Sequence, residues 1–295
     1  MSKGLTKFAK LLEDNGLLLR TSEEDAKAVA DGKAIIYKPQ KSVYQVLKGA
    51  ATEETGKLML GIKEYSELAA KYKEFKGLIQ NLSSSASSRR KFMAAAKKIA
   101  SSAPSEISGV ARCHQSVKYI ASFAELPLKR SQENIVAIDN AVILTNDPVS
   151  ESPDYEICRV ELIEETKARI IFKEGSRAEE RLKNCTHRLP MAICIGGDPI
   201  YSLVAAMHVP PYISKHLMAG VLRNSPVKLA KCFTQNLMVP EDLDIVIEGY
   251  IQKSEAVFHV SNISHASDAI YPESFDCSGI LSQIKSACGS YQVND

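Results

Sequence analysis

"LPMAICIGGDPIYSLVAAMHVPP", residues 189–211, runs from an unbroken apolar segment into Gly-Gly-Asp-Pro, then into a second apolar segment that meets a proline pair. Two successive glycines admit backbone conformations and close approaches that other residues resist. Proline is preorganised for the first turn of a helix. The stretch therefore reads as buried strand, tight turn, helix and proline corner.

Outward from this turn the period stays that of a sheet. Residues 134–175, "NIVAIDNAVILTNDPVSESPDYEICRVELIEETKARIIFKEG", alternate and are rich in Val and Ile, with Asn-Asp-Pro and Ser-Glu-Ser-Pro marking a hairpin connection. "HRLPMAICIG" (187–196) and "DLDIVIEGYI" (242–251) add two strands, and "VKLAKCFTQNLMVP" (227–240) reads as another that ends at Pro240. Two helices fall between them, "GSRAEERLKNC" (175–185) and "PPYISKHLMAGVL" (210–222), the second opened by Pro210 and Pro211. A mainly antiparallel barrel or sandwich decorated by helices, an α+β architecture, follows.

The amino-terminal part has a different texture. Phe8, Leu11 and Leu12 recur at helical spacing before Gly16, and "LLLR" (17–20) reads as a short strand. Residues 48–81 read as two helices punctuated by Gly61 and Gly77. A serine-rich stretch, 81–106, encloses a basic, alanine-rich helix and reads as a linker. The expected division is a helix-rich part over 1–106 and a barrel over 107–295. The basic helix carries no interleaved aromatics beyond Phe92, so a solvated face is preferred to a nucleic-acid patch.

Charge and cysteine usage narrow the partners. With 37 basic against 35 acidic residues, a net +2, no global field favours nucleic acid or an anionic membrane. Seven cysteines, Cys113, Cys158, Cys185, Cys194, Cys232, Cys277 and Cys288, contain no Cys-x-x-Cys pair and lie mostly in apolar runs. That fits a reduced cytoplasmic compartment better than a disulfide framework. The amino terminus lacks a signal-peptide apolar region, and no run is long enough to span a bilayer. Gly196 and Gly197 are not a dinucleotide fingerprint, since no third glycine follows at the needed spacing. Cys113 beside His114 reads as a buried structural thiol rather than a nucleophile.

The order of pieces after the glycine turn resembles the UbiD family of prenylated-FMN-dependent decarboxylases. The resemblance rests on Ala219, Gly220, Leu222, Arg223, Pro226, Val227, Leu229, Lys231, Cys232, Val239, Pro240, Ile245, Val246, Glu248, Gly249 and Tyr250. Upstream, "ELPLKRSQENIVAIDNAVILTNDP" and "YEICRVEL" are similar to family strands, and "FAKLLEDNGLLLR" to the family's opening helix and strand. Family members are usually longer, with a carboxy-terminal domain that helps cover the site and form a dimer.

The resemblance implies a split-barrel flavin domain and non-oxidative decarboxylation of a small aromatic or α,β-unsaturated carboxylic acid by a homo-oligomer. Prenylated FMN supplies the electron sink, and the protein supplies orientation and proton transfer. Arg159 falls where the family positions the substrate carboxylate, and Asp154 on a metal-ligand position. The other two metal positions hold Phe172, which cannot ligate, and Lys215, which repels a cation. A divalent metal, held by Asp154, is therefore the part of the family's chemistry that these residues speak against. Lys215 either supplies the metal's charge to a phosphate or is a solvated helix charge. Gly196, Gly197 and Met207 are expected to border the cofactor. The family's acidic loop is replaced by "IQKSEAVFHVSNISHASDAIYPESF" (251–275), where Glu255 and His259 are the candidate acid and base and where His259 also suits a further strand. Glu248 reads as a capping or pairing group. Two other readings remain, a cofactor-free enzyme in the same pocket and a non-catalytic binding protein.

Overall fold

The computed structural model describes residues 4–23, 32–40, 42–49, 52–83, 89–118, 121–130, 134–207, 209, 213–273 and 282. Its centre is an antiparallel barrel. Strands β6 (Ala137–Asn146), β7 (Pro153–Glu164), β8 (Lys167–Ile171), β9 (Arg188–Ile195), β12 (Ile245–Gln252) and β13 (Val257–His265) pair in the order β12-β9-β6-β7-β8-β13. Pairing of β12 with β13 closes the ring, and β5 (Ser116–Lys118) extends β13. Closure leaves no free edge among these six strands.

The strands are apolar on both faces because each face meets a different core. Ile143, Val160, Ile193, Ile247, Phe258 and Ile263 fill the barrel. Their neighbours Leu144, Ala192, Cys194 and Val246 point outward into a second cluster with the helices. That outer layer contains α3 (Tyr65–Ser83), α6 (Ile200–Ala206) and α7 (Lys215–Arg223), and α4 (Arg89–Ser102) packs against α3 and α7. The helix α5 (Arg177–Asn184) precedes β9. A third cluster joins α1 (Gly4–Asp14) and α2 (Glu53–Leu60) to a four-stranded sheet ordered β1-β2-β3-β14. These strands are Leu18–Arg20, Ala34–Tyr37, Gln45–Lys48 and Ile270–Pro272. Chain from beyond the barrel thus completes the amino-terminal sheet.

Three details differ from the sequence reading. Gly61 does end α2 in a left-handed conformation, but α3 runs through Gly77. Gly77 has open space around it, and the apolar face of α3 outweighs one glycine's helix penalty. Residues 227–240 form a hairpin, β10 (Lys228–Lys231) with β11 (Met238–Pro240), turned at Phe233–Leu237, and β10 also pairs with β4 (Ser105–Glu106). Helix α7 begins at Lys215, where the Ser214 hydroxyl accepts the His216 N–H as its cap. Pro210 and Pro211 lie outside the described residues, as do Cys277 and Cys288. The five described cysteines are free and buried.

Close approach of α4 to α7 depends on Gly220. A Cβ there lies 2.2 Å from the Ser102 carbonyl oxygen. Gly220→Ala is expected to lower stability by about 2 kcal/mol or more, since backbone must move. A urea melt in which the variant matches the parent contradicts this packing.

Candidate functional site

The glycine turn is shaped around an aspartate. Gly196 and Gly197 have φ of 75° and 80°, and the Gly197 N–H donates to Asp244 Oδ2 at 2.8 Å. A Cβ on Gly196 would sit 2.4 Å from that same oxygen. Asp244 is fully buried and also accepts the N–H groups of Leu5 and Ile270 at 3.0 and 3.1 Å. Its remaining partner is Arg112, whose Nη2 donates to Oδ1 at 3.0 Å. One carboxylate therefore ties α1, the turn, β14 and the loop before β5 to the start of β12. Burial pushes the Asp244 carboxyl up, and Arg112 with the three N–H donors opposes that rise. The next turn residue, Asp198, pairs with Arg223, which also donates to Leu60 O and Met59 O at the end of α2.

Beside the turn is a cavity of about 40 Å³, bordered by Asp139, Asn140, Gly196, Gly197, Ser202 and Tyr271. That is room for roughly three waters, too little for a flavin. It lies against a β-bulge. Ile138 pairs with Val160 and Ala141 with Cys158, so Asp139 and Asn140 together face Arg159, and Asn140 has a φ of 53°. Arg159 is held from both sides. Its Nη1 donates to Asp139 at 2.8 Å and its Nε to Glu161 at 2.9 Å. The side chain is 40% exposed, and among the described residues Nη2 has no partner. The Asp139–Asn140 bulge is the feature of this candidate site that the sequence reading missed. Its signal was two polar residues interrupting the alternation of "VAIDNAVIL".

A second polar cluster lies at the other end of β7. Asp154 and Lys215, both expected cofactor contacts, meet there in the interior at 4% and 6% exposure. Lys215 Nζ donates to Tyr155 O at 2.5 Å and Ala205 O at 2.9 Å, and lies 3.4 Å from Asp154 Oδ1. Arg177 takes the other carboxylate oxygen at 2.9 Å and also donates to Val209 O. Lys215 is thus a buried, fully partnered charge, which corrects its reading as a solvated one. Burial pulls its ammonium down, and Asp154 raises it. Met207 caps α6 between the two carbonyls that face these cations, its N–H on Leu203 O and Val204 O.

These residues do not fit a divalent metal. Asp154 already has a cation on each oxygen, and Phe172 packs against the barrel core. Among the described residues no three His, Cys, Asp or Glu side chains group to hold an ion. Two unit charges 4 Å apart repel by about 4 kcal/mol at an effective dielectric of 20, and a dication doubles that.

Tyr155, Ile157 and Arg159 alternate to one face of β7, and the strand rise places Arg159 about 17 Å from Asp154. On this face Tyr155 is buried against the helices, Ile157 is partly buried and Arg159 is half-exposed, while Asp154 starts the opposite face. Glu255 and His259 are not brought to it. His259 faces Lys167 on β8 while Arg159 faces Ile171, four residues or about 13 Å along that strand. The pair stays on the β12–β13 hairpin, with His259 Nε2 3.4 Å from Glu255 and its ring stacked on Tyr250. Glu248 caps a turn, accepting the N–H groups of Phe233 and Thr234.

Behind β7 the rings of Tyr155, Tyr201 and His216 pack together, and the Tyr201 hydroxyl donates to Asp242 at 2.8 Å. Burial lowers the His216 pKa to about 4 and raises that of Asp242 to about 6. Neutral His216 stabilises the fold fully above pH 6.5, and that stability is lost as pH falls toward 4. Asp242 acts oppositely, its contribution present below about pH 4 and lost as pH rises through about 6. Each is worth about 3 kcal/mol, so the two slopes nearly cancel between pH 4 and 6. His216→Leu is expected to unmask Asp242, with urea-melt stability rising as pH drops across that window. A flat or falling profile in the variant contradicts the assignment.

The comparisons with known proteins fall on this same framework. The family profile described as 3-octaprenyl-4-hydroxybenzoate carboxy-lyase Rift-related domain, UbiD, matches residues 124–257, from before β6 to the first residue of β13. An uncharacterized protein of Aquifex aeolicus is 32% identical over 116 residues, 38% of this chain and 24% of that one. One from Archaeoglobus fulgidus is 23% identical over 307 aligned positions, 90% of this chain and 62% of its relative. The chain thus spans less than two thirds of each of these relatives. An evolved dimeric form of the UbiD-class enzyme HmfF from Pelotomaculum thermopropionicum, in complex with prFMN, superposes with a TM-score of 0.74 at 16% identity, over 97% of this chain and 71% of that one. The closed form of Sedimentibacter hydroxybenzoicus vanillic acid decarboxylase gives 0.74 at 19%, over 92% and 64%. At such identities the likeness is one of fold. The profile spans most of the barrel, so residues 124–257 resemble a UbiD-related domain, and over more than nine-tenths of its length the chain shares the fold of UbiD-class enzymes.

Proposed function

We propose that the chain is a UbiD-type carboxy-lyase acting on a small aromatic or α,β-unsaturated carboxylic acid, with prenylated FMN lying along the outer face of β7. Support for the cofactor comes from the donor set. Arg177, at the rim of the Lys215–Asp154 cluster and a quarter exposed, is the cation placed to meet a phosphate at one end, and Ile157 offers an apolar surface between that end and Arg159. When bound, the flavin supplies the electron sink.

The observation that carries the reading is Arg159 held between two carboxylates opposite a bulge. Its free Nη2 grips the substrate carboxylate. Asp139 and Glu161, bonded to the same guanidinium, are the carboxyl groups placed to carry a proton beside the substrate. When the C–C bond breaks and CO2 leaves, that proton goes to the carbon that carried it. Glu255 and His259, standing apart, take no part in this scheme.

Asp139→Asn combined with Glu161→Gln is therefore expected to lower kcat for CO2 release from the cofactor-loaded protein by roughly 10²-fold or more, read by steady-state kinetics. Unchanged turnover in that folded variant contradicts the scheme. The function itself is tested by CO2 release from the cofactor-loaded protein with a panel of aromatic and unsaturated acids; a loaded protein inert toward all of them overturns it. A homo-oligomer, a reduced cytoplasmic setting and the division near residue 106 belong to the same proposal.

A further inference from the structure

We infer that Lys215 is a tethered cation standing in place of a bound metal ion, so that this site takes up a phosphate-bearing cofactor without metal. The second half rests on the cofactor placement proposed above, and the first concerns the apoprotein alone.

Three oxygens from two segments converge on Nζ, the carboxylate of Asp154 and the carbonyl of Tyr155 on β7 and the carbonyl of Ala205 on α6. Oxygens gathered in this way repel one another unless a cation lies between them. An ammonium has three protons for three acceptors, so the geometry suits the charged form. Both charged side chains are buried. Arg177 completes it from the rim, bonding the second Asp154 oxygen and the Val209 carbonyl. The segment from Ala205 to Val209 thus presents main-chain oxygens to two fixed cations, the coordination shell of an ion with the ion built into the chain. A buried ion pair of this kind fixes geometry more than it adds stability. It also makes the site's charge independent of metal supply.

The test uses the full chain, dialysed against chelator. Manganese titrated by calorimetry and followed by thermal melting is expected to give no saturable binding and no rise in melting temperature. Saturable one-to-one uptake abolished by Asp154→Asn overturns the inference. Lys215→Ala empties the cradle while keeping its oxygens. Its melting temperature is expected to fall by several degrees and to recover with added ammonium or potassium, to which the parent is indifferent. A folded Lys215→Ala protein that responds to no cation overturns the inference, and if this variant does not fold the parent titration decides. The last arm adds FMN with and without EDTA. Equal affinity is expected, and affinity lost on chelation overturns the metal-free claim. Failure of FMN to bind at all counts against the functional reading instead, leaving the manganese result to judge Lys215.

Discussion

Arg159→Ala is expected to cut kcat/KM for the carboxylic acid substrate by about 10²–10³ or more while leaving the melting temperature within a degree or two of the parent. The catalytic loss follows from removing a positioned, charge-assisted donor from the group that leaves as CO2. The small thermal effect follows from the setting. Arg159 is 40% exposed, and its partner Asp139 is 60% exposed, so the pairs are screened and contribute on the order of 0–1 kcal/mol. Lysine at this position restores the charge but not the fork that reaches both carboxylates and the substrate together, so Arg159→Lys should recover only part of the rate. Steady-state kinetics beside a thermal melt decides the matter. Turnover unchanged in a folded Arg159→Ala protein removes Arg159 from the mechanism.

The largest expected effect on stability is at the other side of the glycine turn. Asp244→Ala takes one of its two carboxylates from Arg112, which keeps Asp268 at 2.7 Å, and leaves the N–H groups of Leu5, Gly197 and Ile270 without their acceptor. A buried N–H left unpaired costs about 1–3 kcal/mol, so three of them together take a large share of a typical domain's roughly 5–15 kcal/mol. Gly196→Ala should also destabilise, because its Cβ meets the Asp244 carboxylate and its φ of 75° disfavours a side chain. The two costs share one cause, so the double variant should be less destabilised than their sum. Urea melts of the three proteins measure this directly, and strict additivity would show that the turn is not built around Asp244.

Much of the fold was legible because the barrel strands repeat a physical pattern. "AVILT", "MAICI" and "DIVIEG" are apolar on both faces, as strands between a filled barrel and a helical layer must be. The hairpin within 227–240 was hidden because its turn, "FTQNL", has neither glycine nor proline; Glu248, distant in sequence, caps that turn instead. The strands Ala34–Tyr37 and Gln45–Lys48 are four residues each, too short for alternation to declare itself.

The candidate site was legible only in part. Arg159, Asp154 and Lys215 stood out as single positions, and Asp154 does meet Lys215. That Asp139 lies beside Arg159 depends on strand register twenty residues apart, which a bulge shifts by one. Glu255 and His259 carried suitable chemistry, but a hairpin returns them to their own strand pair. The burial of Lys215 had a local sign, a lone charge among Ile213, Leu217, Met218 and Ala219.

The claim that most needs a direct test is that the outer face of β7 holds a prenylated flavin. The protein purified after co-expression with a flavin prenyltransferase should carry near-stoichiometric prenylated FMN, seen in its visible absorbance and in the mass of the released cofactor, with loading reduced in Arg177→Ala. A colourless protein that releases no flavin under these conditions contradicts the account.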